Sequence, residues 1–232
     1  MSILYDEAQQ SIANESRRVL EARVSKDELL PLLESTGQYH EPFWDTAKEQ
    51  GWTALALPEE YDGLALGLVE LGLIAHQAGR TLSGAPFLTS SFGVAKAIEI
   101  YGSEAQKQSW LPRLASGECI GAVAIASGAS ALPQQPQISF ANDRIDGVAT
   151  GVSAGLAADV AIVLAQGPAG PTLVVANLAD VERHAIDSFD NSRCVSNLHF
   201  NATPAALLID GPEAHAAALH ILALQAVITA HE

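Results

Sequence analysis

The stretch from Gly102 to Ser127, GSEAQKQSWLPRLASGECIGAVAIAS, sets a capped helix, a short glycine turn and an apolar strand side by side. Ser103 and Gln106 stand at capping-box spacing, so a hydroxyl and an amide can satisfy free backbone N–H groups at a helix start. Trp110, Leu111 and Leu114 supply an apolar stripe, and Ser116-Gly117 ends the helix. Ala122 to Ile125 then reads as a buried strand of small and β-branched side chains. The chain changes from a helical to a strand pattern near residue 117.

Working back from that point, residues 3–23, 26–35, 41–50, 67–82, 86–101 and 103–115 read as helices separated by Gly and Pro. Leu68, Leu71, Ala75, Ala78 and Leu82 keep one face apolar at helical spacing. Gly51 to Asp62 is a loop around Pro58. Working forward, the candidate strands are 119–126, 136–141, 144–152, 159–166, 172–178 and 195–209, the last expected to break around Asn201. Asn142-Asp143 is a hairpin tip, and Gly167-Pro168-Ala169-Gly170-Pro171 is a turn whose prolines are expected to stay out of the ladder. From Glu213 the helical pattern returns, with Pro212 at the first position. Ala217, Leu219, Ile221, Leu222, Leu224, Val227 and Ile228 spread around most of this helix, which therefore needs cover. Either the chain is a fragment or a partner supplies that cover.

The bulk numbers narrow the class. The 232 residues suit one large or two modest domains, and 48% hydrophobic with 17% charged residues is a globular composition. A formal net charge of −15 argues against nucleic acid and against an anionic membrane surface as partners. Cys119 and Cys194 are too few for a disulfide framework and suit free thiols in a reducing cytoplasm. The acidic start MSILYDEAQQ is unlike a secretory signal, and no apolar run is expected to reach the roughly 20 residues of a membrane span. A soluble cytoplasmic protein is the expectation.

The same stretch resembles the acyl-CoA dehydrogenase family, where a run G-s-e-e-Q-K-x-x-W-L-P-x-L-a-x-G-E leads into the first strand of a β-domain. Gly51-Trp52 and Pro58-Glu59-Glu60-Tyr61-Asp62-Gly63 resemble the family's GW and PEEYGG elements. Ile145-Asp146-Gly147, Ala158-Asp159 and Asp190-Asn191-Ser192-Arg193 carry the likeness onward, in order, over nearly the whole chain. The resemblance implies an α+β chain. It would have an N-terminal α-helical domain at 1–117, a middle β-barrel domain at 118–211, and at 212–232 the first helix of a C-terminal bundle that is otherwise absent.

The resemblance also implies a chemistry. Family members take a proton from Cα and pass a hydride from Cβ of an acyl-CoA thioester to FAD, with a glutamate base in or beside the C-terminal bundle. That bundle and a neighbouring subunit also supply most contacts to the FAD diphosphate and adenine, so no catalytic residue is assigned here and the chain alone is not expected to catalyse. The β-domain side of the flavin pocket is retained. Aligned on a T-E-P-x-x-G-S-D loop, Ile125, Ala126 and Ser127 fall at its start, with Ala126 lacking the hydroxyl and Ser127 replacing Glu. Ser130 is the candidate to meet the thioester arm. Aligned on N-G-x-K-x-W-I-T-N-x-x-x-A-D, Gly147 and Asp159 keep the spacing. Ala149 replaces Lys there, Gly151 replaces the Trp packed on the flavin, and Ser153 replaces the Thr. The cofactor-facing set is thus Ile125, Ala126, Ser127, Gly151 and Ser153.

Two readings follow from these departures. In one the chain is part of a flavin-binding acyl-CoA dehydrogenase. In the other, which the substitutions favour, it is the degenerate subunit of a hetero-oligomer with a homologous dehydrogenase, and some family members acting on bulky CoA thioesters such as steroid side chains are built that way. The remaining polar residues read as structural. Glu59 and Glu60 lie side by side in a loop, and His215 and His220 miss the i,i+4 spacing of a helical metal site. Asp190 with Arg193 reads as a salt-bridged turn, and Trp44, Trp52 and Trp110 as core. No metal and no dinucleotide glycine fingerprint is expected.

Overall fold

The computed structural model of the chain describes residues 5–81, 84, 86–126, 130–188 and 191–231. Helices α1 (Glu7–Arg23), α2 (Lys26–Leu33) and α3 (Glu41–Glu49) open it, followed by α4 (Leu68–Arg80). Each of the first two starts at a capping box. Gln9 N–H donates to Asp6 Oδ1 at 2.8 Å and Gln9 Oε1 accepts from Asp6 N–H; Ser25 and Glu28 repeat the arrangement. Helix α4 lies against α1 through Leu20, Leu71, Ile74 and Ala78, all essentially buried.

Residues 87–101 are helical as the sequence suggests, but not one regular helix. A short turn α5 (Phe87–Thr89) runs into a π-helical segment, Ser90–Ala95, and then into α6 (Lys96–Tyr101). The wider turn has an identifiable setting. Ser90 Oγ accepts from Gly121 N–H at 3.2 Å, and a Cβ on Gly93 would stand 2.6 Å from Val123 Cγ2. The segment is thus shaped to seat a strand of the β-domain. Phe87 also links an aromatic chain, with ring centroids 5.9 Å from Phe43 and 6.0 Å from Phe92.

Helix α7 (Glu104–Ala115) begins at the expected box, Ser103 N–H donating to Gln106 Oε1 at 2.8 Å. It ends at Ser116 with Gly117 at φ +71°, the left-handed residue that turns the chain into the sheet. Trp44 Nε1–H donates to the Gly117 carbonyl at 3.1 Å, so a buried indole holds this turn against α3. Leu111 and Leu114 are buried, whereas Trp110 is half-buried with the Arg113 guanidinium 5.3 Å from its ring. Trp44 and Trp52 are core, as expected; Trp110 is at its margin.

Seven strands follow: β1 (Gly121–Ala124), β2 (Ser139–Ala141), β3 (Arg144–Val152), β4 (Val160–Gly167), β5 (Gly170–Asn177), β6 (Glu182–Ala185) and β7 (Ser196–Asp210). On one side β4 pairs parallel with β1 (Gly121↔Val160) and then with β2 (Ser139↔Gln166). On its other side it pairs antiparallel with β5. The ladder continues β5 to β7, β7 to β3 and β3 to β2, which closes a barrel. Asn142 and Asp143 form the β2–β3 tip, both at positive φ as a primed turn requires.

Three strand expectations need correction. Pro171 lies inside β5, opposite Gln166 near the hairpin, where it joins the ladder. β7 does not break at Asn201. Ile145 pairs with Thr203 and Gly147 with Phe200, so β7 carries one extra residue there and continues through a bulge with Ala202 at φ +46°. β6 was not foreseen; its residues are polar and mostly exposed, and backbone pairing to β7 defines it.

One apolar core joins the helical part to the barrel, with Phe43, Phe87 and Phe92 in the same cluster as Ala122, Val163, Val174 and Leu198. The last helix, α8 (Pro212–His231), buries Ala214, Ala217, Ala218 and Ile221 while Leu219 and Val227 stay 57% and 68% exposed. The expectation of no membrane-length run is corrected here. Pro212–Ala230 is long and apolar enough to cross a membrane by length and composition, with mean hydropathy 1.3, although its inner face packs on β5 and the π-helical segment.

Candidate functional site

The positions implied as flavin-facing come from two places in the barrel. Ile125 and Ala126 follow β1; Gly151 and Ser153 stand at the end of β3 and in the loop that enters β4. β1 and β3 approach each other, which puts both groups in one sector of the barrel wall. Two hydrogen bonds fix this loop. Ile120 N–H donates to Asp159 Oδ2 at 2.9 Å and Asp159 N–H to the Ile120 carbonyl at 2.8 Å, so the retained Asp159 registers the start of β4 against β1.

The individual residues suit a cofactor less well than their positions do. The Ile125 side chain is 2% exposed, in the cluster that holds Ile162 and Leu173, so it faces inward and leaves only its backbone to a ligand. Ala126 is exposed and carries no donor. Ser127 lies outside the described residues, as do Gly128 and Ala129, and Ser130 is exposed at the far end of that loop.

Gly151 is a bulge residue. Ala149 pairs with Leu198 and Val152 with Ser196, so β3 carries one residue more than β7 across this interval. Gly151 takes φ +68°, its N–H donates to Asn197 Oδ1 at 3.1 Å, and a Cβ built on it meets nothing within 4 Å. The space an aromatic ring would fill is open, and the backbone has the left-handed conformation that side-chain-bearing residues rarely adopt. Ser153 is half-buried and its Oγ–H donates to the Arg193 carbonyl at 3.3 Å. The hydroxyl that would meet a flavin is engaged with this chain's own backbone. The residues described at this wall therefore do not fit a flavin ring held by this chain.

Sequence reasoning missed the group that shapes the loop. Arg183, on β6, donates to the carbonyls of Leu156 at 2.7 Å, Leu178 at 2.6 Å and Gly155 at 3.4 Å. Its burial pushes the guanidinium below its ordinary pKa, with Asp159 opposing that shift. An arginine in a polar strand carries no signal of this in the sequence.

The other polar candidates resolve as structural. Cys119 and Cys194 are buried free thiols; burial pushes Cys119 up to about 12 and raises Cys194, which disfavours the reactive thiolate in both. His220 Nδ1 pairs with the Tyr101 hydroxyl at 2.8 Å and His215 Nε2 with Gln134 Nε2 at 3.3 Å. No cluster of three metal-ligating side chains exists among the described residues. Tyr61 donates to Glu104 Oε2 at 2.9 Å, which holds the PEEY loop on α7 and raises the phenol to about 12. Asp190 lies outside the described residues, so the turn expected between it and Arg193 does too. An apolar cavity of about 630 Å³ runs between α4 and α8, walled by Leu68, Val69, Phe92, Leu224, Val227 and Ile228.

A helical segment that turns at Gly117 into a closed barrel, with a retained Gly147-to-Asp159 element, makes this an α+β chain. Residues 6–118 match the family model for the acyl-CoA dehydrogenase N-terminal domain. The chain is 33% identical over 138 residues to acyl-CoA dehydrogenase FadE28 of Mycobacterium tuberculosis, a match covering 59% of this chain and 39% of FadE28. It is 32% identical over 126 residues to the mitochondrial isovaleryl-CoA dehydrogenase of Bos taurus, covering 49% and 29%. Among solved structures, a variant of the Tcur3481-Tcur3483 steroid ACAD superposes with TM-score 0.80 at 26% identity, covering 97% of this chain and 62% of that one. The ChsE4-ChsE5 complex from Mycobacterium tuberculosis superposes with TM-score 0.85 at 21% identity, covering 100% and 64%. The chain belongs to the acyl-CoA dehydrogenase family. It spans less than two thirds of each of these relatives.

Proposed function

We propose that this chain is part of an assembly that dehydrogenates an acyl-CoA thioester between Cα and Cβ with FAD, and that it is the subunit that does not hold the flavin. A homologous acyl-CoA dehydrogenase subunit would hold FAD and the carboxylate base, and this chain would complete the oligomer beside the substrate cleft. The observation that carries this reading is the Gly151 bulge, open to solvent where the resemblance expects an aromatic platform, with the neighbouring Ser153 hydroxyl turned to Arg193. Support also comes from two similar structures that are assemblies of two named proteins, ChsE4-ChsE5 and Tcur3481-Tcur3483, the second a steroid ACAD. A bulky lipid or steroid thioester is accordingly the substrate class we assign to the assembly. The two buried free thiols suit a cytoplasmic setting.

A second reading rests on the intact spacing from Gly147 to Asp159 and the ordered loop between them. There the chain binds FAD itself and belongs to the catalytic subunit. Native mass spectrometry separates the two. The chain would be purified alone and after co-expression with an intact dehydrogenase subunit. Flavin-free chain that enters a flavin-containing mixed oligomer supports the first reading. FAD retained by the chain alone in a homo-oligomer would establish the second.

A further inference from the structure

The solvent side of the β6–β7 pair carries a cluster of side chains that neither the core nor the implied flavin wall uses. In this ladder Glu182 stands opposite His199, His184 opposite Asn197, and Arg183 opposite Leu198. Leu198 is buried and Arg183 reaches to the carbonyls of the loop beneath. The pleat therefore turns Glu182, His184, Asn197 and His199 to the other face. Asn197 is occupied there, its Oδ1 accepting from Gly151 N–H at 3.1 Å. The other three form a group. His184 Nε2 lies 2.8 Å from Glu182 Oε1, and the His184 and His199 ring centroids are 4.6 Å apart with their planes tilted by 38°.

The protons in this group follow from its partners. An ionised carboxylate only accepts, so His184 Nε2–H is the donor and the neutral ring keeps its lone pair on Nδ1. Among the described residues, nothing hydrogen-bonds that Nδ1 or either nitrogen of His199. A carboxylate on the outer N–H is the usual companion of a metal-ligating histidine, because it fixes the tautomer and makes the other nitrogen more basic. The spacing agrees. With metal–nitrogen bonds of about 2.0–2.1 Å, two imidazoles at right angles around one ion have centroids about 4.5 Å apart. Chelation then asks for ring rotation, with the strand register unchanged. The His184 and Glu182 side chains are 56% and 69% exposed, so an ion can reach them.

We propose that His184 and His199 form a two-imidazole site for a divalent transition-metal ion, with Glu182 as the positioning residue that orients His184. Imidazole nitrogens suit copper, nickel and zinc, whereas magnesium and calcium favour oxygen ligands; copper is held most tightly of the divalent series. Two protein ligands are fewer than a closed structural site has, and no group of three exists among the described residues. Water fills the remaining positions, and the ion is exchangeable. The assignment rests on the β6–β7 face alone and is independent of the proposed function.

Titration of the full, untagged chain with Cu²⁺ at neutral pH, read by electron paramagnetic resonance, tests it, with Ni²⁺ and Mg²⁺ titrated by calorimetry. One Cu²⁺ with two equatorial nitrogens is expected, Ni²⁺ should bind more weakly, and Mg²⁺ should not bind. His184→Gln and His199→Gln should each lose the two-nitrogen signal. Glu182→Gln should keep that signal while weakening Cu²⁺ about tenfold, as loss of an outer partner does. His220→Gln is the control, because its ring is paired with Tyr101 on another face. Circular dichroism checks that the variants fold. A chain without a two-nitrogen Cu²⁺ signal overturns the proposal, as does a signal that survives both His184→Gln and His199→Gln. Mg²⁺ bound as tightly as Ni²⁺ would overturn it equally, and unchanged affinity in Glu182→Gln would overturn the role given to Glu182.

Discussion

The Ser153 hydroxyl donates to the Arg193 carbonyl at 3.3 Å, and Ala154 N–H donates to the same oxygen at 3.0 Å. This pair of bonds ties the loop entering β4 to the turn before β7, so the serine at the family's flavin-facing position serves the chain's own fold. Ser153→Ala should lower stability by about 1 kcal/mol, the net value of one hydrogen bond. Flavin content of a co-purified assembly should stay unchanged. Urea unfolding and the 450 nm absorbance per assembly check the two halves, and a loss of flavin would return Ser153 to the cofactor.

Gly151 presents the opposite case, an open position that still resists substitution. At φ +68° an alanine would be strained although its Cβ has space. Gly151→Ala should cost about 1 kcal/mol and Gly151→Asn less, because asparagine tolerates the left-handed region. Thermal melts rank the two; an alanine variant as stable as the parent would show that the bulge relaxes.

Arg183 holds three carbonyls from two loops with a half-buried guanidinium. Arg183→Met should destabilise the chain by about 2–3 kcal/mol, as charged donors contribute more than neutral ones. Arg183→Lys should recover little, since one ammonium cannot reproduce the planar fork. Hydrogen exchange at residues 154–158 should quicken in both variants. Protection unchanged in either would mean the loop is held by its own backbone.

His40 caps α3, with its Nδ1 accepting from Phe43 N–H at 3.2 Å, and it is buried. Burial lowers its pKa, opposed by Glu28, whose Oε2 is 3.8 Å from Nε2. An unfolded histidine titrates near about 6.5. Since the folded value lies below that, the contribution is fully present above about pH 6.5 and is lost as pH falls through the folded pKa. Protonation also converts the capping acceptor into a donor at a helix N-terminus. Unfolding titrations from pH 8 to 5 should show a stability loss that His40→Asn, a cap without titration, flattens.

Much of this architecture was legible in local patterns. Ser103 with Gln106 marked a helix start that the structure reproduces, Asn142-Asp143 marked a hairpin tip, and the Arg144–Val152 strand has the bounds its residues suggest. These features depend on neighbours a few residues away, which periodicity and turn chemistry report. β6 escaped because Glu182 to Ala185 have no apolar alternation; their strand exists through pairing with residues 196–199.

The candidate site was legible as positions and illegible as contacts. Alignment of motifs located Ile125, Ala126, Gly151 and Ser153, yet the inward turn of Ile125 depends on the core that closes around it. The bulge at Gly151 depends on a register shift against β7, and the engagement of Ser153 on a carbonyl 40 residues away. The sequence by itself determined the order and type of most elements, the caps and turns between them, and the family they resemble, because these follow from local conformational preference. Only the tertiary structure decided which hydroxyl is free, which arginine is paired and where the barrel wall stands open. Such contacts join residues far apart in the chain, and closing the barrel selects them.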